Sequence, residues 1–346
     1  MKNIKSTISV LALSCTLLMS SCKKKMDSLF QNPDAFTTVQ IEYVLPAAIQ
    51  NTVWVAYGDV YNYTINKMGP MMQILANTND PVSGQWYKVT SDLGFWAKYY
   101  TTKMNNLVGM EQLYAGLSPD VQKGYAVYMP ITKILEAYAT AQATDLFDDM
   151  PYTEAFQGIN PIFGGTGNYT PKYDAQSVIY YSILDNLKKA AADLSATTLQ
   201  PSLYDAHRVL PAQDILFQGN LSKWIKLANS LRLRYAMRIS DADAARSKSE
   251  IADLISSSAP LITLNTDNAT LAVGPTINST GGSGTTYIRA FYELGTSTFA
   301  PKMMVDSMKS AVDPRLLVMF TCQGATPSTY ANYQGMPVHL MQGLVL

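Results

Sequence analysis

The sequence predicts an all-α protein, a tetratricopeptide-like scaffold of helical pairs that carries a long irregular loop region. Apolar residues recur at helical intervals through most of the first 260 positions, in stretches separated by loops. Helix pairs of this kind stack side by side in solenoids. The Trp-Leu-Gly signature of tetratricopeptide repeats is missing, so an ordinary helical bundle is the alternative. Residues 259–298 lose the periodicity and are rich in Thr, Asn, Gly and Ser.

The first 21 residues predict a lipoprotein signal peptide. Lys2 and Lys5 precede the apolar stretch Ile8–Met19, which is too short to span a bilayer as a helix. The stretch Leu18-Met-Ser-Ser-Cys22 matches a bacterial lipobox, so we expect cleavage before Cys22 and acylation of this cysteine. Two or three acyl chains anchor a protein stably to a membrane. A plain secretory peptide with a chance cysteine is the alternative.

Residues 22–37 form the lipidated tether, and residues 38–346 form the helical domain. Apolar periodicity predicts its helices in the following ranges: 38–75 with breaks near Gly58 and Gly69, 95–115, 119–147, 174–194, 222–239, 243–258 and 299–311. Asp174 and Ser222 are the expected N-caps of two of these helices. A polar loop at 77–94 and a loop rich in Gly and Pro at 148–173 lie between helices.

The composition excludes or weakens several classes of function. The 346 residues include 26 Lys and Arg and 26 Asp and Glu, so the formal net charge is zero. A nucleic-acid-binding protein usually has a basic surface, and we expect no nucleic-acid partner. Two histidines leave little material for a histidine metal site or a Ser-His-Asp triad. We expect no enzymatic activity, no cofactor and no metal.

Four acids lie close together in the sequence, at Asp145, Asp148, Asp149 and Glu154. A pair of carboxylates at a set separation can hydrolyse a glycosidic bond, so a hydrolase is one hypothesis. A calcium site is another, although the spacing of a calcium-binding loop is missing. The simpler interpretation is that these acids cap neighbouring helices and form ion pairs.

Aromatic residues in loops are the main candidates for ligand binding. Trp86 and Tyr87 lie in the polar loop, and Trp96 starts the next helix. Polar residues of the same loop could hydrogen-bond a ligand, namely Asn77, Asn79, Asp80 and Gln85. A sugar offers a face of C–H groups and a rim of hydroxyls, which suits an aromatic platform edged by amides and carboxylates. Local packing is the alternative for Trp86, whereas Trp54 and Trp224 fall on predicted core stripes.

A second candidate group follows the glycine-rich stretch Gly281–Gly284. Tyr287, Arg289 and Tyr292 again combine aromatic rings with a hydrogen-bonding side chain. They are candidate ligand contacts for the same reason as the first group.

Five short segments, taken together in their order along the chain, are more specific than any one of them alone. They are Asp145–Phe156 (DLFDDMPYTEAF), Pro171–Asp174 (PKYD), Trp224–Tyr235 (WIKLANSLRLRY), Asp313–Leu316 (DPRL) and Tyr333–Pro337 (YQGMP). With the lipobox and an Asn-Pro soon after it, these segments resemble those of SusD/RagB-like nutrient-binding lipoproteins of Bacteroidetes. The resemblance runs from Cys22 to about Pro337. It implies the same tetratricopeptide-like scaffold that the periodicity predicts.

The resemblance also implies a function. It points to an outer-membrane lipoprotein that faces the cell surface and captures oligosaccharides or other nutrients, such as peptides, without cleaving them. It implies a SusC-like TonB-dependent transporter as the partner that receives the ligand. Loops on the outward face of the family carry the ligand-contacting aromatics, and residues 77–96 are the nearest counterpart, with Trp86 as the first candidate.

Members of the family continue well past the segment Tyr333–Pro337, so the resemblance further implies that this chain is truncated at its C-terminus. Two other hypotheses remain at this point. One is a structural or assembly module that binds only its protein partner. The other is a degenerate fragment.

Overall fold

The computed structural model describes residues 40–53, 68–77, 94–158, 166–200, 205–271, 298–322 and 329–337. Helices dominate these residues, which confirms the predicted helical fold. Within the described part of the chain, no helix is both long enough and apolar enough to cross a membrane.

The helices of the first half are α1 (Ile41–Val53), α2 (Gly69–Met71), α3 (Phe95–Lys98), α4 (Met104–Ala115), α5 (Pro119–Tyr125) and α6 (Tyr128–Phe147). A π-helix, Tyr99–Lys103, joins α3 to α4. The sequence predicted one helix over 119–147, and the structure divides it after Tyr125. Pro130 lies in the first turn of α6, where its missing N–H costs no helical hydrogen bond, so a helix start fits this position.

The helices of the second half are α7 (Gln176–Ala196), α8 (Asp205–Gln213), α9 (Leu221–Arg238), α10 (Ala244–Ser256), α11 (Lys302–Ser310) and α12 (Arg315–Met319). Short 3-10 turns occupy Asn265–Asp267 and Tyr330–Asn332. Helix α8 was not predicted, because it is only nine residues long and contains Pro211.

Both predicted N-caps are wrong. The N-cap of α7 is Ala175, whose own side chain forms no capping hydrogen bond, and the carboxylate of Asp174 accepts instead from the loop after residue 151. The N-cap of α9 is Asn220, whose side-chain oxygen accepts a hydrogen bond from the Lys223 amide at 3.2 Å. Ser222 therefore lies inside the helix.

The long helices pack side by side in chain order: α1 on α4, α4 on α6, α6 on α7, α7 on α9 and α9 on α10. Successive packing of neighbours is the arrangement of a helical solenoid. The buried faces join into one core, which includes Leu45, Leu107, Ile131, Ile183 and Trp224. Trp224 is fully buried, so its predicted place in the core is confirmed.

The described residues contain short strands that the sequence did not predict. They are β1 (Ala76–Asn77), β2 (Met150–Pro151), β3 (Tyr173–Asp174) and β4 (Thr298–Phe299). Strand β1 pairs antiparallel with β4, and β2 pairs antiparallel with β3. Two-residue strands are too short for periodicity to reveal, which explains why the sequence did not predict them.

Gly335 shows why the segment Tyr333–Pro337 contains a glycine. A Cβ atom at this position would lie 2.7 Å from the Lys302 amide nitrogen and 2.7 Å from the Pro301 carbonyl oxygen. Next to it, Met336 forms a parallel bridge with Pro301. The segment therefore packs against the start of α11 at a distance that only glycine allows.

Candidate ligand-binding site

Of the predicted site residues, the structure describes Asn77 and Trp96. The others lie outside the described residues: Cys22, Asn79, Asp80, Gln85, Trp86, Tyr87, Tyr287, Arg289 and Tyr292. Their roles in ligand binding or lipid attachment stay predictions.

The two predicted aromatic groups are attached to one small sheet. Asn77 ends β1 directly before the segment 78–93, which carries Trp86. Thr298 begins β4 directly after the segment 272–297, which carries the second group. Asn77 and Thr298 are partners in the antiparallel pair. The segment 78–93 therefore begins next to the residue at which the segment 272–297 ends. The sequence did not indicate this relation between distant residues.

Trp96 belongs to a cluster of aromatic side chains at the C-terminal end of α6. It is half-buried. Its ring centroid lies 5.1 Å from that of Phe147, edge-on, and 5.1 Å from that of Tyr100, in a tilted arrangement. Tyr173 stacks on it with the centroids 6.2 Å apart and an angle of 21° between the planes. These are the geometries that aromatic rings prefer, so packing fixes the orientation of the Trp96 ring.

Tyr173 is the exposed member of this cluster. It is 63% exposed, although its ring is stacked on Trp96. We call these two residues the aromatic platform. A ring that is fixed in orientation and open to solvent can accept the C–H face of a sugar with little loss of side-chain entropy. Sequence reasoning missed Tyr173, because it treated Pro171–Asp174 only as the opening of a helix.

Asp174, which follows Tyr173 in β3, holds the loop after β2. Its carboxylate accepts hydrogen bonds from the Thr153 amide at 2.7 Å, the Tyr152 amide at 3.2 Å and the Thr153 hydroxyl at 2.9 Å. Burial raises the pKa of Asp174, but the bonds from Thr153 and Tyr152 outweigh it and hold the pKa below its usual range. The carboxylate thus clamps the loop after β2 against β3, and this clamp positions the platform.

A hydrogen bond also joins the aromatic cluster to β2. The Tyr100 hydroxyl donates a hydrogen bond to the Pro151 carbonyl at 2.8 Å. Burial raises the pKa of Tyr100, so its hydroxyl stays protonated and remains a donor. Lys172, next to Tyr173 in the chain, forms an ion pair with Glu154 at 2.7 Å, which supplies charged groups near the platform.

The side chains of three of the four clustered acids have partners in the structure. Asp149 accepts a hydrogen bond from the Gln176 amide at 2.8 Å, at the start of α7. Glu154 pairs with Lys172, and Asp145 pairs with Arg238. These contacts fit the simpler interpretation of helix capping and ion pairing. Among the described residues, no group of three or more His, Cys, Asp or Glu side chains is arranged to hold a metal ion.

Solved structures share the fold of this chain. A chitin-binding protein superposes with a TM-score of 0.65 at 21% identity, over 87% of this chain and 60% of that protein. A SusD homologue from Bacteroides fragilis gives 0.61 at 22% identity, over 87% and 58%. A chitin-binding SusD homologue from Flavobacterium johnsoniae gives 0.57 at 19% identity, over 80% and 53%. The chain therefore spans roughly half to three fifths of these proteins. No curated protein matches it.

A family match covers almost the whole chain. Residues 33–344 match the sequence profile of the SusD-like family, which is described as starch-binding and associating with the outer membrane. The similar structures agree with this match. The protein belongs to the SusD-like family of outer-membrane-associated binding proteins.

Proposed function

We propose that this protein is a cell-surface lipoprotein that captures oligosaccharides and delivers them to a SusC-like TonB-dependent transporter. The observation that carries this proposal is the family match over residues 33–344. Two of the similar structures are of chitin-binding proteins, which favours a glycan over a peptide or another nutrient as the ligand. In this proposal Cys22 carries the lipid anchor, and the protein binds its ligand without cleaving it.

The ligand site that we propose combines the two predicted aromatic groups. Trp86 and its polar neighbours form the first part, and Tyr287, Arg289 and Tyr292 form the second. The pairing of Asn77 with Thr298 supports a shared site, because it joins the two segments to the sheet at adjacent positions. Among the described residues, the aromatic platform provides an additional surface on which a ligand can stack.

The chemistry of this site predicts how binding responds to salt. Stacking on aromatic rings and hydrogen bonds from neutral groups do not depend on long-range charge attraction. The protein has no formal net charge to attract a ligand of either sign. Binding should therefore be nearly independent of ionic strength, and a loss of binding in high salt would contradict the mechanism.

A titration tests the proposal. The full chain, kept in a detergent without a sugar headgroup, is titrated with chito-oligosaccharides, malto-oligosaccharides and peptides while tryptophan fluorescence is followed. We expect saturable binding of at least one glycan. Trp86→Ala and Tyr173→Ala should each weaken it by about 5-fold to 150-fold, the effect of losing an aromatic anchor. Tyr43→Ala is the matched control, because Tyr43 is a similarly exposed tyrosine (59%) on α1.

The outcomes separate the hypotheses. Wild-type affinity in Trp86→Ala and in Tyr173→Ala would remove these residues from the site. Another outcome is that no ligand changes the fluorescence, although circular dichroism shows a folded chain and the transporter still co-purifies. That result would favour an assembly module that binds only its partner. Transporter co-purification is itself the test of the delivery step, and its absence would contradict that part of the proposal.

A further inference from the structure

A cavity lies beside the ends of four helices, and neither residue of the aromatic platform is among those that line it. Its volume is about 280 Å³. The walls come from the C-terminal ends of α6 and α9 and from the start of α7 and the turn before α10. Its lining includes Asp145, Ser177, Tyr180, Tyr181, Arg238 and Asp243. Polar side chains from separate helices therefore converge on one small space.

One wall presents an acceptor beside a donor. The carboxylate of Asp145 accepts hydrogen bonds on a single oxygen, from the Tyr180 hydroxyl at 2.6 Å and from Arg238 Nε at 3.2 Å. Burial and the bond to Asp145 raise the pKa of Tyr180, so its hydroxyl stays a donor. A guanidinium has five N–H donors and a carboxylate has about four acceptor sites. The triad is thus fixed in place while both Arg238 and Asp145 keep capacity for a ligand.

A second pair of lining residues, Tyr181 and Asp243, repeats this arrangement. The Tyr181 hydroxyl donates to Asp243 at 2.6 Å. Arg246 lies over the Tyr181 ring, 5.5 Å from its centroid, and its backbone amide donates to the same carboxylate at 2.9 Å. These contacts fix the ring of Tyr181 and orient the remaining acceptor sites of Asp243.

The charges and the volume restrict the kind of ligand. Two carboxylates and one guanidinium line the cavity, so an anion would meet more repulsion than attraction. An apolar ligand would cover part of the polar surface of the carboxylates and Arg238 without replacing the hydrogen bonds to water that it displaces, which is costly. A volume near the lower end for ligand pockets holds about one ring. A neutral ring with adjacent hydroxyls can donate to the carboxylates and accept from Arg238 at the same time.

We propose that this cavity, which is lined by Asp145, Arg238, Tyr181 and Asp243, binds a single uncharged sugar ring. The site goes beyond the proposed function, because it needs neither Trp86 nor the aromatic platform. It would hold a free monosaccharide or one residue of a longer glycan.

Saturation-transfer NMR on the full chain tests this proposal, with glucose, galactose and N-acetylglucosamine as the probes. We expect saturable binding of at least one of them. Arg238→Ala should weaken it about tenfold by removing a charged donor. Ser177→Trp, at an exposed position in the first turn of α7, should abolish it by filling the cavity. Lys189→Ala is the control, because Lys189 lies on α7 with its side chain exposed and is not among the lining residues.

Circular dichroism shows whether each variant is folded. If Arg238→Ala is not folded, Arg238→Gln replaces it. Tyr173→Ala should leave monosaccharide binding unchanged even where it weakens oligosaccharide binding. This separates the failure of one proposal from the failure of the other. The absence of a saturable signal from all three sugars, or a signal that Ser177→Trp and Arg238→Ala leave intact, would overturn the proposal.

Discussion

Replacement of Asp174 by alanine should free the loop that positions the aromatic platform. The carboxylate accepts three hydrogen bonds from this loop, and the shortest comes from the Thr153 amide at 2.7 Å. Without it, the Tyr152 and Thr153 amides lose a charged acceptor. We expect the loop to open more often and Tyr173 to lose its fixed position on Trp96.

The magnitude follows from the exposure of the loop. A hydrogen bond to a charged group contributes about 1.5–3 kcal/mol when it is buried. Thr153 is exposed and Asp174 is half-buried, so water replaces part of each lost bond. We therefore assign about 2 kcal/mol to the whole clamp, which corresponds to a change of about 30-fold in the opening equilibrium.

Native-state hydrogen exchange measures this opening directly. In Asp174→Ala the protection of the Tyr152 and Thr153 amides should fall by about 30-fold, while a core amide such as that of Ile183 keeps its protection. Thr153→Val is the matched control, because it removes the hydroxyl and keeps both amide bonds, so its effect should be smaller. Glycan binding should weaken in Asp174→Ala, by less than in Tyr173→Ala.

The pH dependence of the same clamp has a defined sign. The folded-state pKa of Asp174 is lower than its usual value, so the clamp stabilises the loop fully above the ordinary pKa of about 3.9. Its contribution is lost as the pH falls through the folded-state pKa. Wild-type protection of both amides should thus hold at pH 6 and decline only below about pH 4. Unchanged protection in Asp174→Ala would refute the reasoning.

Three further predictions concern stability. Asp214 is fully buried and accepts hydrogen bonds from three backbone amides and from Trp224 Nε1 at 2.7 Å. Asp214→Ala should therefore lower the free energy of unfolding by about 3–5 kcal/mol, measured by denaturant unfolding with tryptophan fluorescence. A decrease below about 1 kcal/mol would contradict this role. Burial raises the pKa of Glu136 to about 7, above its unfolded value, so its ionisation opposes folding as the pH rises to neutral. Thermal melts should therefore show that Glu136→Gln gains stability relative to the wild type as the pH rises from about 5 to about 7. Gly335→Ala should displace the segment around it and lower the hydrogen-exchange protection of the Met336 amide, which bonds to the Ala300 carbonyl at 2.8 Å; unchanged protection would show that the backbone can yield.

The sequence predicted the parts of the fold that depend on local pattern. The apolar stripes of α6, α7 and α9 are long enough for helical periodicity to dominate, and Trp224 lies in the core as its stripe predicted. The caps were harder to predict. Asp174 has the residue type of an N-cap, but its carboxylate accepts from the Thr153 amide, in the loop after the strand β2 that pairs with β3.

The site depended more on contacts between distant residues. The pairing of Asn77 with Thr298 joins positions far apart in the chain, and no local pattern encodes it. The stacking of Tyr173 on Trp96 likewise requires the loop after α6 to fold back. The aromatic residues that the sequence singled out by their polar surroundings, Trp86 above all, stay predictions.

The central proposal is that aromatic stacking binds a neutral glycan. The most direct test is calorimetric titration of the wild-type chain and of Trp86→Ala with the tightest-binding glycan, in low and in high salt. The account predicts one dissociation constant for the wild type in both salts and binding weakened by about 5-fold to 150-fold in the variant. Wild-type affinity in the variant, or wild-type binding that disappears in high salt, would contradict it.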